Sequence, residues 1–252
     1  MKNYIKPDWP APKNIRSYTT TRFHEKGASL PPYDNFNLAT HVADDNNSVL
    51  QNRFILTSDL NLPAEPSWLK QEHTTHVIKL EKNLPYNETI ADASFTIDNN
   101  IVCAVLTADC LPILLTDNEG SVVAAIHAGW KGLAAGIIEA TVKSLPSPAK
   151  KIMAWMGPAI GPTAFVVGDD VKREFIAYDN AATMAFTTTE VNGKWLCNIY
   201  LLGKQRLNSV GVTEIYGGEL CTYSEPTKFY SFRRDGVTGR MATLIYKHEN
   251  NL

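Results

Sequence analysis

The chain has 252 residues, 44% hydrophobic and 20% charged, which suits a globular protein with a sizeable core. Its formal net charge of -2 argues against a general nucleic-acid binder, which carries a basic excess. No apolar run approaches the ~20 residues of a membrane helix, and the start MKNYIKPDWPAPKN lacks the apolar core of a secretory signal. A cytoplasmic setting is therefore expected, with Cys103, Cys110, Cys197 and Cys221 as free thiols.

Taken in order, residues 1–14 carry Pro7, Pro10 and Pro12 and read as an extended lead-in. Ile15 to Thr21 reads as a short strand, and the turn-rich GASLPPYDNFN (27–37) as a loop. Ser48 to Leu60 reads as a helix. Val49, Phe54, Ile55 and Leu56 form its apolar stripe, and Ser48 with Gln51 resembles a capping box. Trp68 to Leu80 reads as strand, turn, strand.

The central block runs from Ile101 to Gly136. Apolar runs at Ile101–Leu106, Ile113–Leu115 and Val122–Ile126 predict three strands. Cys110 and His127 fall at strand ends, where reactive groups are held rigidly beside open loops. Leu133 to Leu145 predicts one helix stopped by Pro146. Beyond it, Ile152–Met156 predicts a strand, Asp169–Tyr178 a helix, and Thr187–Asn198 a hairpin about Asn192-Gly193. Ile199–Gly211 predicts a helix. Ile215–Tyr216, Tyr230–Arg233 and Met241–Tyr246 predict strands. The expected class is α/β, with layered mixed β-sheets flanked by helices in a single compact domain over 1–252.

Three side chains point to chemistry. His73, Cys110 and His127 offer two imidazoles and a thiolate, natural ligands for zinc or copper that would leave a fourth position open. No short metal signature supports them. The same atoms also suit a Cys110 nucleophile with His127 as base and Asp109 as its orienter. The bland reading is a buried cysteine and two hydrogen-bonded histidines. His76 is expected not to ligate, and His24 and His41 are expected in solvent. Arg233 and Arg234, followed by Arg240, form a basic group able to bind phosphate or carboxylate. Arg53 is a further candidate cation. The glycines of Gly129-Trp130-Lys131-Gly132 permit a tight strand-to-helix turn, without the Walker pattern of a nucleotide loop.

At this point the motifs converge. TADCLP (107–112), HAGWKGLAAG (127–136), GPAIGP (157–162) and CTY…FYSFRRDGVTGRMA (221–242) resemble the YfiH-like family. This is the laccase-domain, or multicopper-polyphenol-oxidase-type, family of purine nucleoside phosphorylases. SLPPYDxxNL (29–38), Asn52-Arg53 and WLKQxH (68–73) agree in order, so the resemblance spans essentially the whole chain. It implies a layered mixed α/β fold and a bound zinc, with copper as an alternative, on His73, Cys110 and His127. It implies Arg53 near the substrate. Cys110, His127 and Arg53 are the catalytic candidates, and Arg53, Arg233 and Arg234 the substrate-binding ones. The implied activities are phosphorolysis of adenosine, inosine and methylthioadenosine, and deamination of adenosine. Editing of peptidoglycan precursors and copper-dependent polyphenol oxidation are the alternatives. The implied partners are purine nucleosides and phosphate, with no nucleic acid or membrane, for a monomer or small homo-oligomer. Glu72 and Asp109 are candidate proton carriers. One departure stands out: the family often has glycine after the ligand histidine, and this chain has Thr74.

Overall fold

The structure, a computed structural model, describes residues 4–82 and 89–249. Strands β1 (Tyr4–Ile5) and β2 (Ile15–Thr20) precede helix α1 (Asn46–Asp59). Then come β3 (Val77–Lys79), β4 (Ala93–Thr96), β5 (Val102–Thr107), β6 (Leu111–Asp117) and β7 (Val123–Ala128). Helices α2 (Trp130–Ala135) and α3 (Ile137–Ser144) lead to β8 (Ile152–Met156), β9 (Val166–Gly168) and α4 (Asp169–Tyr178). The remainder is β10 (Phe186–Thr188), β11 (Lys194–Cys197), α5 (Ile199–Ser209), β12 (Glu214–Gly217), α6 (Phe232–Asp235) and β13 (Met241–Lys247).

These elements form the expected mixed α/β layers. A six-stranded mixed sheet has the order β12-β8-β6-β7-β4-β3, and an antiparallel sheet the order β1-β2-β13-β5. Side-chain alternation along the central strands assigns the layers. In β5, Val102, Ala104 and Leu106 pack with Ile55 and Leu56 of α1, while Cys103 and Val105 face the six-stranded sheet. In β6, Leu114 joins that inter-sheet core, while Ile113 and Leu115 pack under α3 and α5. β5, β6 and β7 are therefore buried on both faces, which explains their continuous apolar runs. Each fully buried aliphatic side chain there contributes about 1.5–3 kcal/mol. Among the described residues no helix is long and apolar enough to cross a membrane.

Several expectations need correction. Helix α1 starts earlier than expected: Asp45 is its cap, accepting from Ser48 N at 2.8 Å, and Phe54 lies outside the stripe at 72% exposure. The expected helix 133–145 is two helices, because Gly136 adopts φ 102° and breaks the run. Within Trp68 to Leu80 only Val77–Lys79 is a strand, and His73 lies in a loop. Tyr230 to Arg233 is not a strand: Ser231 caps the short helix α6 by accepting from Arg234 N. Arg233 and Arg234 are therefore neighbours on a helical turn. His24, expected in solvent, is buried and bonds Asp59 at 2.8 Å. Of the extended lead-in, residues 1–3 lie outside the described residues, and Tyr4–Ile5 pairs with β2.

Candidate metal centre

Three segments meet at one end of the two-sheet sandwich. His127 lies in β7 at the inter-sheet face, continuing the series Val123 and Ala125. Cys110 sits in the turn between β5 and β6, where Asp109 takes φ 88°. His73 arrives on the loop before β3, itself at φ 60°, a left-handed conformation uncommon for a side chain with a Cβ. The Gln71 amide pins that loop to the edge of β5. Its Nε2 donates to Leu106 O and its Oε1 accepts from Leu106 N, both at 2.8 Å, as a strand residue's backbone would. The three ligand atoms lie within 4.8 Å of one another, so the group can bind a metal ion. Cys110 Sγ is 3.7 Å from His73 Nε2.

Asp92, which no sequence pattern singled out, ties the ligand segments together. Its Oδ1 accepts from His73 N at 3.0 Å and contacts His127 Nδ1 at 2.7 Å. Its Oδ2 accepts from Glu72 N, from Thr74 N at 2.6 Å and from Thr74 Oγ1 at 2.8 Å. Three successive backbone N–H groups thus converge on one carboxylate and hold His73 in its left-handed geometry. The threonine that departs from the family pattern adds a hydrogen bond here. An Nδ1–H donated to Asp92 turns His127 Nε2 toward the site, where it would offer its lone pair to a metal once its own proton is displaced, the usual outer-partner arrangement of a metal histidine.

Electrostatics follow from this geometry. Burial alone would raise the Asp92 carboxyl, but hydrogen bonds from His127 and Thr74 hold it at about 2. Burial would also raise the Cys110 thiol, yet the neighbouring His127 and His73 bring it down to about 6. Burial would lower His127, but the Cys110 thiolate and Asp92 lift it to about 9. The two shifts run in opposite directions and both favour a thiolate beside an imidazolium in the metal-free site. Cys103 and Cys197 are buried without such partners, and their thiols are pushed up to about 12.

Gly129 gives the ligands room. A Cβ there would lie 2.4 Å from His73 Cδ2, 2.8 Å from His73 Nε2 and 3.1 Å from Cys110 Sγ. Its backbone (φ -62°, ψ 154°) suits alanine, so Gly129→Ala tests crowding alone. This variant is expected to fold while binding metal roughly 10-fold more weakly or worse, by analogy with losses of outer support. Titration with a chromophoric chelator reads it, and unchanged affinity would remove the steric role.

The centre opens into a cavity of about 500 Å³. Leu106, Ala108, Trp130, Ile160, Phe165 and Phe232 supply its apolar wall, and His41, Asp109, Arg233 and Arg240 its polar one. The structure brings Arg233 to this wall, but neither Arg53 nor Arg234 is among the lining residues. Arg53 donates to Leu38 O and stacks its guanidinium 4.2 Å from the Trp68 ring. Burial lowers it to about 10, offset in part by Glu65. Arg234 is occupied with the carbonyls of Thr222, Tyr223 and Phe229 and with Asp235, bracing the 221–242 segment.

Asp109 is not the orienter of His127. Its Oδ1 accepts from Thr222 Oγ1 and its Oδ2 from Arg233 N, both at 2.6 Å, so it locks the Cys110 turn to α6. Glu72 pairs with Lys70 at 2.7 Å and is not among the cavity-lining residues. His76 bonds Ile90 O and stays outside the ligand group, as expected. His41 lines the cavity, which its loop setting did not foretell.

Residues 16–248 match a family described as multi-copper polyphenol oxidoreductase laccase. The chain is 49% identical over 245 residues to a purine nucleoside phosphorylase of Haemophilus influenzae, covering 96% of this chain and 98% of the relative. It is 47% identical over 246 residues to purine nucleoside phosphorylase YfiH of Escherichia coli, covering 98% and 99%. A solved Neisseria meningitidis protein superposes with a TM-score of 0.93 at 42% identity, over 98% of this chain and all of that one.

Proposed function

The chain belongs to the multi-copper polyphenol oxidoreductase laccase family, and from that premise we propose a zinc-dependent, cytoplasmic purine nucleoside phosphorylase. Its substrates in this reading are adenosine, inosine and methylthioadenosine with phosphate, and it also deaminates adenosine. The observation that carries the reading is the convergence of His73, Cys110 and His127 in the wall of a mostly apolar cavity. The names of the similar bacterial proteins support the nucleoside assignment.

The residues fit the ion. One thiolate and two imidazoles make an open three-ligand set suited to zinc, Asp92 stands behind His127, and Gly129 leaves the space that a Cβ would fill. A multicopper centre needs further clustered histidines, and among the described residues a single such group is present. When bound, zinc would supply Lewis acidity toward an oxygen or nitrogen of the substrate.

The remaining work falls to the chain itself. In phosphorolysis a phosphate oxygen bonds the ribose C1′ as the bond to the purine nitrogen breaks. Trp130, Phe165 and Phe232 offer apolar faces for the base and keep water from the ribose carbon. Arg233 supplies positive charge for the phosphate, its guanidinium fixed by donation to Val166 O at 2.7 Å. Arg53, held by donation to Leu38 O outside the cavity lining, would steady the loop bearing His41. Cavities of roughly 300–1,000 Å³ suit ligands of drug size, so about 500 Å³ fits a nucleoside better than a muramyl peptide precursor.

Product analysis tests this. Hypoxanthine and ribose 1-phosphate are expected from inosine only when phosphate is present, and inosine from adenosine. Release of amino acids from a muramyl precursor, with no nucleoside turnover, would favour the editing hydrolase instead. Loading also has a proton signature. Between pH about 6 and about 9 the metal-free Cys110 is already ionised while His127 holds a proton. Binding must displace that proton, so about one proton per ion is released near neutral pH. Affinity therefore already falls as pH drops below about 9, where His127 gains its proton, and falls more steeply below about 6, where the thiol takes up its own. Calorimetry in buffers of different ionisation enthalpy measures the count, and a value near zero would contradict a metal-free site that holds one proton between Cys110 and His127.

A further inference from the structure

The cavity has an uneven charge. Arg233 and Arg240 both line it, and neither forms an ion pair among the described residues. Each guanidinium is instead fixed by backbone carbonyls: Arg233 by Val166 O, and Arg240 by Thr238 O at 2.8 Å and Gly239 O at 3.0 Å, both through one amino nitrogen. Carbonyls orient an arginine without cancelling its charge. The one lining carboxylate, Asp109, spends both oxygens on Thr222 and Arg233 N. Arg240 is half-buried, and its backbone N–H donates to Asn37 Oδ1 at 2.9 Å. The chain reaches this position through Gly239, where a Cβ would meet the Tyr230 ring at 2.7 Å. Arg240 lines the same cavity as Cys110 and Asp109, whose charges partly offset the lowering of its guanidinium by burial. His41 feels the same field: after burial, Arg240 and Arg53 are the largest causes that push its imidazole below the usual value.

We infer that Arg240, with Arg233 and His41, forms a subsite for a tetrahedral phosphate dianion beside the metal-ligand group. Two arginine forks and an imidazole match three phosphate oxygens, and an apolar cavity wall strengthens their pull. Arg240 is the principal anion-binding residue of this set. The sequence placed it only at the end of the basic group, after Arg233 and Arg234. The identification of the dianion with the co-substrate rests on the phosphorylase reading; the charge argument for the subsite does not.

The test titrates inorganic phosphate into the zinc-loaded protein by calorimetry, for the parent, Arg240→Gln, Arg240→Lys and Arg233→Gln. Arg240→Gln is expected to weaken phosphate by roughly 10-fold or more, as for loss of a charge-assisted hydrogen bond. Arg240→Lys should recover part of that loss. Arg233→Gln, on an exposed helical turn, should weaken phosphate with folding intact. Inosine binding should change much less in all three. A parent that binds no phosphate, an unchanged phosphate affinity in both glutamine variants, or an equal loss for inosine would overturn the subsite. Adenosine 5′-monophosphate separates the sources of the dianion. Phosphate and adenosine bound together identify a co-substrate site, whereas tighter binding of the monophosphate, lost in Arg240→Gln, identifies a phosphorylated ligand. Either result supports the subsite. Phosphate binding without any phosphate-dependent nucleoside cleavage would keep the subsite and sink the phosphorylase reading.

Discussion

Cys110→Ala is expected to leave a folded protein that holds almost no metal and turns over inosine more than ~100-fold slower, beyond the ~10–100-fold that loss of an outer partner costs. The side chain is half-buried in a turn, so its removal opens no large core cavity. What disappears is the single anionic ligand, and with it the charge that lifts His127. Two imidazoles at a part-exposed site then remain, and His127 returns toward its ordinary titration range. Cys103→Ala is the companion measurement. Cys103 is buried between the sheets with its thiol pushed up to about 12, so that variant should retain metal and activity. If Cys110→Ala keeps both metal and turnover, the ligand assignment is wrong.

Asp92→Asn is expected to weaken metal binding by about 10–100-fold and to lower kcat more than it raises KM. The substitution preserves shape but places an NH2 where an acceptor stood. If the remaining oxygen faces His127 Nδ1, the amide confronts the N–H groups of Thr74 and Glu72. If it faces those groups, His127 loses the partner that fixes its tautomer. One ligand segment is therefore released in either orientation. The folding cost is modest, about 1–3 kcal/mol for a lost buried partner, because His73 and Glu72 are exposed and their N–H groups can meet water. Its pH dependence carries a sign. The parent carboxyl is held at about 2, below the ordinary aspartate value. Its stabilisation is thus complete above about pH 4 and lost as pH falls toward 2, a slope the asparagine variant should lack. Chelator competition and acid unfolding of the two proteins measure both effects.

Much of this was legible from residue types. Runs of apolar residues marked β5, β6 and β7 because strands buried on both faces need no alternation. The candidate trio was legible because thiol and imidazole are few in the chain and Cys110 and His127 fall at strand ends, whereas His73 arrives on a loop and is marked by its residue type alone. Asp92 was not, since its role comes from β4 pairing with β7: His127 N donates to Asp92 O at 2.7 Å, and no local pattern records that contact. The turn at Phe232 was read as a strand because Phe and Tyr favour sheets, although Ser231 three residues before Arg234 is a helix-start signal. Separating Arg240 from Arg234 needed the tertiary structure. Both are arginines in one loop-rich segment, and only their carbonyl partners and the cavity tell them apart.

Zinc content and phosphate-dependent inosine cleavage, followed in one sample before chelation, after it, and after zinc is returned, decide whether the trio is a catalytic zinc site. About one zinc per chain is expected for a single three-ligand site, with cleavage lost along with the metal and restored by zinc. Undiminished cleavage in the metal-free protein, or copper-dependent oxygen consumption with no nucleoside turnover, would contradict a catalytic zinc site.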